Sequence, residues 1–202
     1  DKNTMMIVGS APCFPHGVVD PIEDLAKIST KLDLWLHVDA CVGGYILPFF
    51  KMIGRKISDF DLSLNGVSSL SADLHKFAFC PKPISTVFFK NNEDLERSKF
   101  VFDYWGSGQF ETFTLSGTRA AGAVAGAWSV INNLGKSGYI EIAGKLSSMT
   151  DQYVSGIESI EQLLMVAKPE ATIINYTSNT IDIFAVAEQL SKKKWLPGLT
   201  KR

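Results

Sequence analysis

The segment Leu34-Trp35-Leu36-His37-Val38 is a short, mainly apolar run that stops at the charged residue Asp39. Such a run is typical of a strand buried inside a sheet. Similar runs predict further buried strands at residues 5–8, 67–72 and 85–89. Strands spaced in this way, with a helix between the first two, are the signature of an α/β fold with a largely parallel sheet flanked by helices.

The helix between the first two strands has a recognisable start at Asp20-Pro21-Ile22-Glu23. Asp20 can cap the free amides, and Pro21 suits the first helical position. Glu23 can reach back to complete a capping box. The sequence therefore predicts that the helix begins directly after Asp20.

Two longer helices are predicted in the second half of the chain. The first covers residues 116–134, contains many small residues that permit close packing, and has Gly135 as its C-terminal cap. The second covers residues 138–160, where apolar residues recur at helical spacing.

The pattern changes after residue 160. Two short strands, residues 163–166 and 172–176, and a helix over residues 181–193 indicate an α+β arrangement. We therefore assign residues 1–135 to part of a large domain. Residues 136–202 form a linking helix and the start of a smaller α+β C-terminal domain.

The amino-acid composition and the net charge argue against some classes of function. The 202 residues are 46% hydrophobic and 20% charged, which is ordinary for a soluble globular protein. The formal net charge is -1, which argues against a nucleic-acid surface and leaves a small anionic ligand open. The longest stretch of small and apolar residues, 120–131, is shorter than the roughly 20 residues of a membrane-spanning helix.

The three cysteines, Cys13, Cys41 and Cys80, are too widely spaced to suggest a zinc site or a disulfide framework. They fit small buried apolar residues and a reducing compartment, so we expect a cytoplasmic protein. The chain starts in a loop ahead of a strand and stops without a closing element. We therefore expect a fragment of a longer protein, and whether a membrane anchor precedes residue 1 stays open.

Three polar residues, Asp39, His75 and Lys76, each fall just after a predicted strand, where ligands bind in parallel sheets. A neutral lysine can form an imine with a carbonyl cofactor, and burial or nearby cations favour that form by lowering its pKa. An aspartate can pair with a protonated pyridine nitrogen, and Ala40 is small enough to let a flat ring lie close. Each residue alone also fits an ordinary role, such as a solvated lysine or a turn-capping aspartate.

Taken together, His37-Val38-Asp39-Ala40 with Gly43-Gly44, and then Ala72-Asp73-Leu74-His75-Lys76, resemble the group II pyridoxal 5'-phosphate (PLP)-dependent decarboxylases of fold type I. The resemblance implies a seven-stranded type of sheet, of which this chain holds part. It implies PLP bound by Lys76 as a Schiff base, with Asp39 at the pyridine nitrogen. His75 would lie by the phosphate or ring, and His37 and Ala40 would belong to the cofactor site.

Other segments are similar to the sphingosine-phosphate lyase branch of that family, namely 9–12, 14–17 and 114–119. The last of these implies that Gly117 and Thr118, at a helix start, approach the cofactor phosphate from a neighbouring subunit in a homodimer. Ser10 could reach the ring oxygen or serve the turn.

Several neighbouring residues keep two interpretations. His16 and Arg119 could touch an anionic substrate, and Arg119 could equally pair with a helix or the neighbouring subunit. The aromatic residues 100, 102, 104 and 105 are expected to pack in the core or at an interface. Pro81-Lys82-Pro83 and the segment 106–110, which lacks the family's tyrosine, depart from the family pattern and leave the substrate open.

Three functions follow. The first is a carbon–carbon lyase that acts on a phosphorylated amine and gives a fatty aldehyde and phosphoethanolamine. The alternative is an L-amino-acid decarboxylase, which would release carbon dioxide from a small amine-bearing substrate, an amino acid. The third, of another class, is a truncated, non-catalytic relative that acts as an interaction partner.

Overall fold

The segment that ends at Asp39 forms the second strand of a four-stranded sheet. The computed structural model describes residues 1–200. In chain order, the elements are β1 (Met6–Ser10), α1 (Ile22–Leu32), β2 (Trp35–Asp39), α2 (Leu47–Met52), β3 (Ser69–Ala72), β4 (Thr86–Phe89), α3 (Asn92–Arg97), β5 (Phe100–Phe102), β6 (Phe110–Thr112), α4 (Gly122–Glu158), β7 (Leu164–Met165), β8 (Tyr176–Thr177) and α5 (Ile183–Lys192).

The strand order is β1-β2-β3-β4, with the first three parallel and β4 antiparallel to β3. The connection from β3 to β4, residues 73–85, contains no helix that could carry the chain back for a parallel pairing. The predicted α/β fold with a largely parallel sheet is confirmed, and this chain holds four strands of it.

The core lies between this sheet and the first two helices. Leu36 and Val38 of β2 are fully buried, together with Ile22 of α1 and Leu47 and Phe50 of α2. Burial of each such side chain stabilises the fold by roughly 1.5–3 kcal/mol. These contacts fix β2, and therefore its last residue, at the centre of the domain.

The expectation that the first and fourth strands are buried is wrong for the described residues. Met6 and Val8 of β1 are 52% and 53% exposed, and Val87 and Phe88 of β4 are 55% and 42% exposed. β1 lies at the edge of the sheet, and its alternate residues face solvent while Gly9 packs inward against α1.

The predicted capping box at the start of α1 is also wrong. Pro21 occupies the N-cap position, and no side chain caps the helix. Asp20 is engaged elsewhere: its Oδ2 accepts from the Ser10 amide at 2.7 Å, and its own amide donates to the Ser10 carbonyl at 2.9 Å. Glu23 likewise accepts from the Asp59 amide instead of closing the box.

The two predicted long helices form one element, α4, that is interrupted at Gly135 (φ 56°, ψ -177°). Glycine adopts this positive φ without steric penalty, which agrees with its predicted role as a terminator. The first part begins at Gly122 and not at residue 116. The hydroxyl of Thr114 donates to the Ser116 carbonyl, and such local bonds compete with the helical pattern.

Helix α4 packs against the connection that follows β3. Tyr139 stacks on Phe49 of α2 with ring centroids 5.0 Å apart, and its hydroxyl donates to the Ala78 carbonyl at 2.9 Å. A Cβ at Gly126 would lie 2.9 Å from the Pro81 side chain, which confirms that the small residues permit close packing. Helix α4 therefore fixes the position of the loop after β3.

The tail confirms the predicted order of strand, strand and helix. β7 is shorter than predicted, and β8 (Tyr176–Thr177) shares only Tyr176 with the predicted strand at 172–176. Asp182 caps α5 by accepting from the amides of Phe184 and Ala185. The division of the chain into domains at residue 135 stays a prediction.

Sequence reasoning missed α2, α3 and the β5–β6 hairpin. The aromatic side chains of the hairpin region are exposed, with Tyr104 at 90%, so the expectation that they fill this chain's core is wrong. Among residues 1–200, every helix is too short or too polar to cross a bilayer.

Candidate active site

The ends of three parallel strands meet in register at one edge of the sheet. Ser10 pairs with Asp39, and Asp39 pairs with Ser71. The main chain continues this alignment past the strands, because the Asp39 carbonyl accepts from the Ala11 amide at 2.9 Å. The Ala40 amide donates to the Ser71 carbonyl at 2.9 Å. The predicted convergence of polar residues at this edge is confirmed.

The carboxylate of Asp39 is fixed by two donors. Its Oδ1 accepts from the Cys41 amide at 3.0 Å and from the Ser71 hydroxyl at 3.3 Å. Partial burial raises the pKa of Asp39, but the hydrogen bonds from Cys41 and Ser71 and the charge of Lys76 lower it by more. The Asp39 pKa therefore lies below its ordinary value, and the side chain is an anion at neutral pH.

The turn after β2 is packed too tightly for larger residues. A Cβ at Gly43 would lie 2.2 Å from the Ala11 carbonyl oxygen, and one at Gly44 would lie 2.5 Å from the Ala72 Cβ. Ala40 is fully buried in the same region. These small residues let the ends of β1, β2 and β3 approach one another, and the role of Ala40 beneath a cofactor ring stays a prediction.

Lys76 lies in the loop after β3 and is paired with Asp73. The Nζ–Oδ2 distance is 2.9 Å, and the Lys76 side chain is 35% exposed. Burial lowers the pKa of Lys76, but hydrogen bonds with Cys41 and Asp73 raise it by more, so its pKa lies above the ordinary value. The expectation of a lowered lysine pKa is wrong for this state, because an anion and not a cation is its nearest charged partner.

Asp73 is the residue that sequence reasoning left without a role. Its carboxylate also accepts from the Ser85 hydroxyl and lies 3.7 Å from His75 Nε2. Burial raises the pKa of Asp73, whereas Ser85, Lys76 and His75 lower it by more. Its spacing three residues before Lys76, directly after a strand, was the available signal.

His75 is oriented by the main chain of the loop. Its amide and its Nδ1 both bond the Ile84 carbonyl. Because a carbonyl only accepts, Nδ1 carries a proton and Nε2 is the nitrogen turned toward Asp73. This leaves Nε2 as the atom available to a ligand.

Cys41 belongs to the same cluster. Its amide donates to Asp39 Oδ1, its carbonyl accepts from the Asp73 amide, and burial raises the pKa of its thiol. The expectation of buried, inert cysteines holds for Cys80, whereas Cys13 and Cys41 are partly exposed and all three are free. Cys41 is thus a site residue that the sequence did not single out.

His37 does not face the cluster directly. Its Nδ1 lies 2.8 Å from the Ser69 hydroxyl and its Nε2 lies 3.2 Å from the Ser71 hydroxyl. Burial lowers the pKa of His37, although the nearby charge of Asp39 opposes the shift. The imidazole is therefore neutral, and it reaches Asp39 only through the Ser71 hydroxyl. His37 can therefore support the orientation of Asp39 without contacting it.

Ser10 lies at the end of β1, next to Asp39 in the sheet. Both of its backbone groups are bonded to Asp20, and the contact of its hydroxyl with a cofactor ring stays a prediction. His16 is exposed and borders a cleft of about 920 Å³ formed with residues of the C-terminal segment, including Tyr176 and Phe184. Its contact with an anionic substrate stays a prediction.

Gly117, Thr118 and Arg119 are not brought to the cluster. All three are exposed and precede α4 by several residues, so the expected helix N-terminus at Gly117 is wrong. Within residues 1–200 no hydrogen bond joins them to Asp39, His75 or Lys76.

The donor set fits PLP. Asp39 offers a fixed anion for a protonated pyridine nitrogen, and Lys76 offers a primary amine for an aldehyde. His75, which directly precedes Lys76, offers an imidazole for the phosphate or the ring. All three lie at the carboxyl edge of a parallel sheet, where ligands of such folds bind.

The comparisons with known proteins agree with this site. The model of the pyridoxal-dependent decarboxylase conserved domain matches residues 5–178. The chain belongs to the pyridoxal-dependent decarboxylase family. The predicted cofactor, PLP, is thereby confirmed for the family.

Two plant relatives and one solved structure that are similar to this chain are sphingosine-1-phosphate lyases. The sphingosine-1-phosphate lyase of Oryza sativa subsp. japonica is 40% identical over 96% of this chain and 36% of that protein. The sphingosine-1-phosphate lyase of Arabidopsis thaliana is 39% identical over the same shares. The structure of the Burkholderia pseudomallei sphingosine-1-phosphate lyase superposes with a TM-score of 0.94 at 34% identity, over 98% of this chain and 46% of that one. The chain thus spans about a third of the length of the plant relatives.

The ion pair between Lys76 and Asp73 generates a test. In an Asp73→Asn variant, loss of the negative charge should lower the pKa of Lys76, so its amine should titrate at lower pH and react faster with amine reagents at neutral pH. Reductive ¹³C-methylation followed by NMR of the Lys76 methyl signals measures this titration. Asp103→Asn, at an exposed loop position, is the control. An unchanged Lys76 titration in Asp73→Asn would show that Asp73 does not govern the amine.

Proposed function

We propose that the protein is a PLP-dependent carbon–carbon lyase of the sphingosine-1-phosphate lyase type, acting on a phosphorylated long-chain amine. The observation that carries the proposal is the position of Asp39 at the end of β2 and of Lys76 in the loop after the adjacent strand β3, with Cys41 joining the two segments. The Cys41 amide bonds the Asp39 carboxylate, and its carbonyl accepts from the Asp73 amide at 3.2 Å.

Each residue has a definable task in this proposal. When bound, PLP supplies an electron sink for breaking a bond at the amine-bearing carbon of the substrate. Asp39 would hold a proton on the pyridine nitrogen, because its lowered pKa keeps it anionic beside that cation. Lys76 would attach the cofactor through Nζ, and His75 Nε2 would contact the phosphate or the ring.

Lys76 also has a proton-transfer role. Its ammonium must lose a proton before Nζ can act as a nucleophile, and the ion pair with Asp73, 2.9 Å away, opposes that loss because it raises the pKa of Lys76. When Nζ is not attached to the cofactor, it would be the group of this cluster that takes or gives a proton at the reacting carbon of the substrate.

The attachment of PLP is tested by absorption spectroscopy of the full-length protein. The parent should show the visible band of a lysine-bound cofactor, and Lys76→Ala should lose it. Lys82→Ala, an exposed lysine in the same loop, should keep it. Borohydride reduction and peptide mapping should place the cofactor on Lys76. A band that survives in Lys76→Ala would assign the cofactor to another residue, and no band in any variant would favour the non-catalytic interpretation.

The runner-up is an amino-acid decarboxylase. It is favoured by one finding: the probable L-aspartate decarboxylase of Thermococcus gammatolerans is 31% identical over 193 residues. One family contains both types of enzyme. Lys76 and Asp39 would serve either reaction, so the residues that contact the rest of the substrate decide between them.

A substrate panel separates the two activities. With sphingosine 1-phosphate, the loaded full-length protein should release a long-chain aldehyde and phosphoethanolamine, detected by mass spectrometry. With aspartate and glutamate it should release no carbon dioxide above a Lys76→Ala control. Carbon dioxide release without aldehyde formation would replace the lyase proposal with the decarboxylase.

We infer further that the site is completed by a second copy of the chain. The support is that Gly117 and Thr118 are exposed and follow a few residues after the exposed aromatic hairpin region, which includes Tyr104 and Trp105. A second copy would bury this apolar surface and bring the loop to its neighbour's site. Cytoplasmic localisation stays a prediction.

Subunit complementation tests the shared site. Lys76→Ala and Thr118→Asp should each abolish most activity alone, and a mixed dimer should regain one intact site. With random pairing of equal amounts this restores about a quarter of the parent's sites. If Thr118 served the site of its own chain, or if the protein were a monomer by light scattering, mixing would restore nothing.

A further inference from the structure

A continuous chain of side-chain hydrogen bonds leads to the Asp39 carboxylate from inside the sheet. Trp35 Nε1 donates to Ser69 Oγ at 2.9 Å, and Ser69 Oγ lies 2.8 Å from His37 Nδ1. His37 Nε2 lies 3.2 Å from Ser71 Oγ, which donates to Asp39 Oδ1 at 3.3 Å. Two adjacent strands, β2 and β3, contribute alternate members.

The chemistry of the two ends fixes the direction of every bond. The indole N–H of Trp35 can only donate, and an ionised carboxylate can only accept. The single hydroxyl proton of Ser71 points to Asp39, so its oxygen must accept from His37 Nε2–H. His37 Nδ1 is then the unprotonated nitrogen, and it accepts a hydrogen bond from the Ser69 hydroxyl. The Ser69 oxygen in turn accepts from Trp35 Nε1–H.

The partial burial of His37 agrees with these bond directions, because they require a neutral imidazole. Ser69 is only 3% exposed, and burial lowers the pKa of His37, which keeps the imidazole neutral with one proton. The charged group facing His37 is Asp39, on its own strand. The serines on β3 are uncharged. A neutral imidazole with one donor and one acceptor nitrogen is the form that the chain of bonds requires.

We propose that Trp35, Ser69, His37 and Ser71 are positioning residues that hold Asp39 ionised and oriented. Chains of hydrogen bonds polarise one another, so the Ser71 hydroxyl is a stronger donor than an isolated serine. The Ser71 hydroxyl and the Cys41 amide both bind Oδ1. Neither of these two donors binds Oδ2, which leaves that oxygen for a cationic partner.

The link to the pyridine nitrogen rests on the proposed function, whereas the effect on Asp39 itself does not. The first test therefore uses the cofactor-free full-length protein. ¹⁵N NMR of His37 near neutral pH should show a neutral imidazole protonated at Nε2. An Nδ1-protonated ring or an imidazolium would overturn the direction of the chain and, with it, the proposal.

The second test changes the last member of the chain. In Ser71→Ala the pKa of the Asp39 carboxyl should rise, and in Ser71→Thr, which restores the hydroxyl, it should return toward the parent value. Ser68→Ala is the matched control, because the Ser68 hydroxyl accepts from the Leu36 amide and lies outside the chain of bonds. ¹³C NMR of labelled aspartate, assigned with Asp39→Asn, measures the titration.

The third readout is cofactor affinity. Loss of one neutral hydrogen bond that supports Asp39 should weaken PLP binding about 2- to 10-fold in Ser71→Ala, with rescue in Ser71→Thr. An unchanged Asp39 titration in Ser71→Ala would overturn the proposal whether or not PLP binds. A shifted titration in a protein that binds no PLP would keep the positioning role and reject the proposed function alone.

Discussion

The parallel register of β1, β2 and β3 is the constraint on which the site depends. It places Ser10, Asp39 and Ser71 side by side, and the main chain beyond each strand is bonded to its neighbour. A slip of one residue in β2 would exchange the buried face that carries Leu36 and Val38 for the face that carries His37 and Asp39. The same apolar contacts that stabilise the core therefore also place the carboxylate.

The charges of the site are balanced within the chain. Lys76 is held as an ammonium between Cys41 and Asp73, while Asp39 stays anionic through its own donors. The stable resting state is thus not the reactive one, because a nucleophilic amine must be neutral. A ligand that brings its own negative and positive groups would redistribute these pairs, and Asp73 is the group whose partner would change.

The sequence predicts those parts of the fold and site that depend on local pattern. The strands follow from apolar runs, and the break in α4 follows from the glycine at position 135. Asp39 and Lys76 stand out by their positions after strands, but their roles come only from the family resemblance. The bonds of Asp20 to Ser10 and of His37 to two serines could not be predicted, because they join side chains across strands whose register appears only on folding. The start of α4 was misplaced since threonine hydroxyls bind the local main chain instead of extending the helix.

A neutral chain of donors suits Asp39 better than a charged neighbour would. A cation packed against the carboxylate would lower its pKa further, but it would also satisfy the negative charge that a pyridinium nitrogen needs as its partner. Serine and neutral histidine orient Oδ1 and stabilise the anion without neutralising it. The lowered pKa of the partly buried His37 therefore matters to the site, because a protonated imidazole would form a competing ion pair with Asp39.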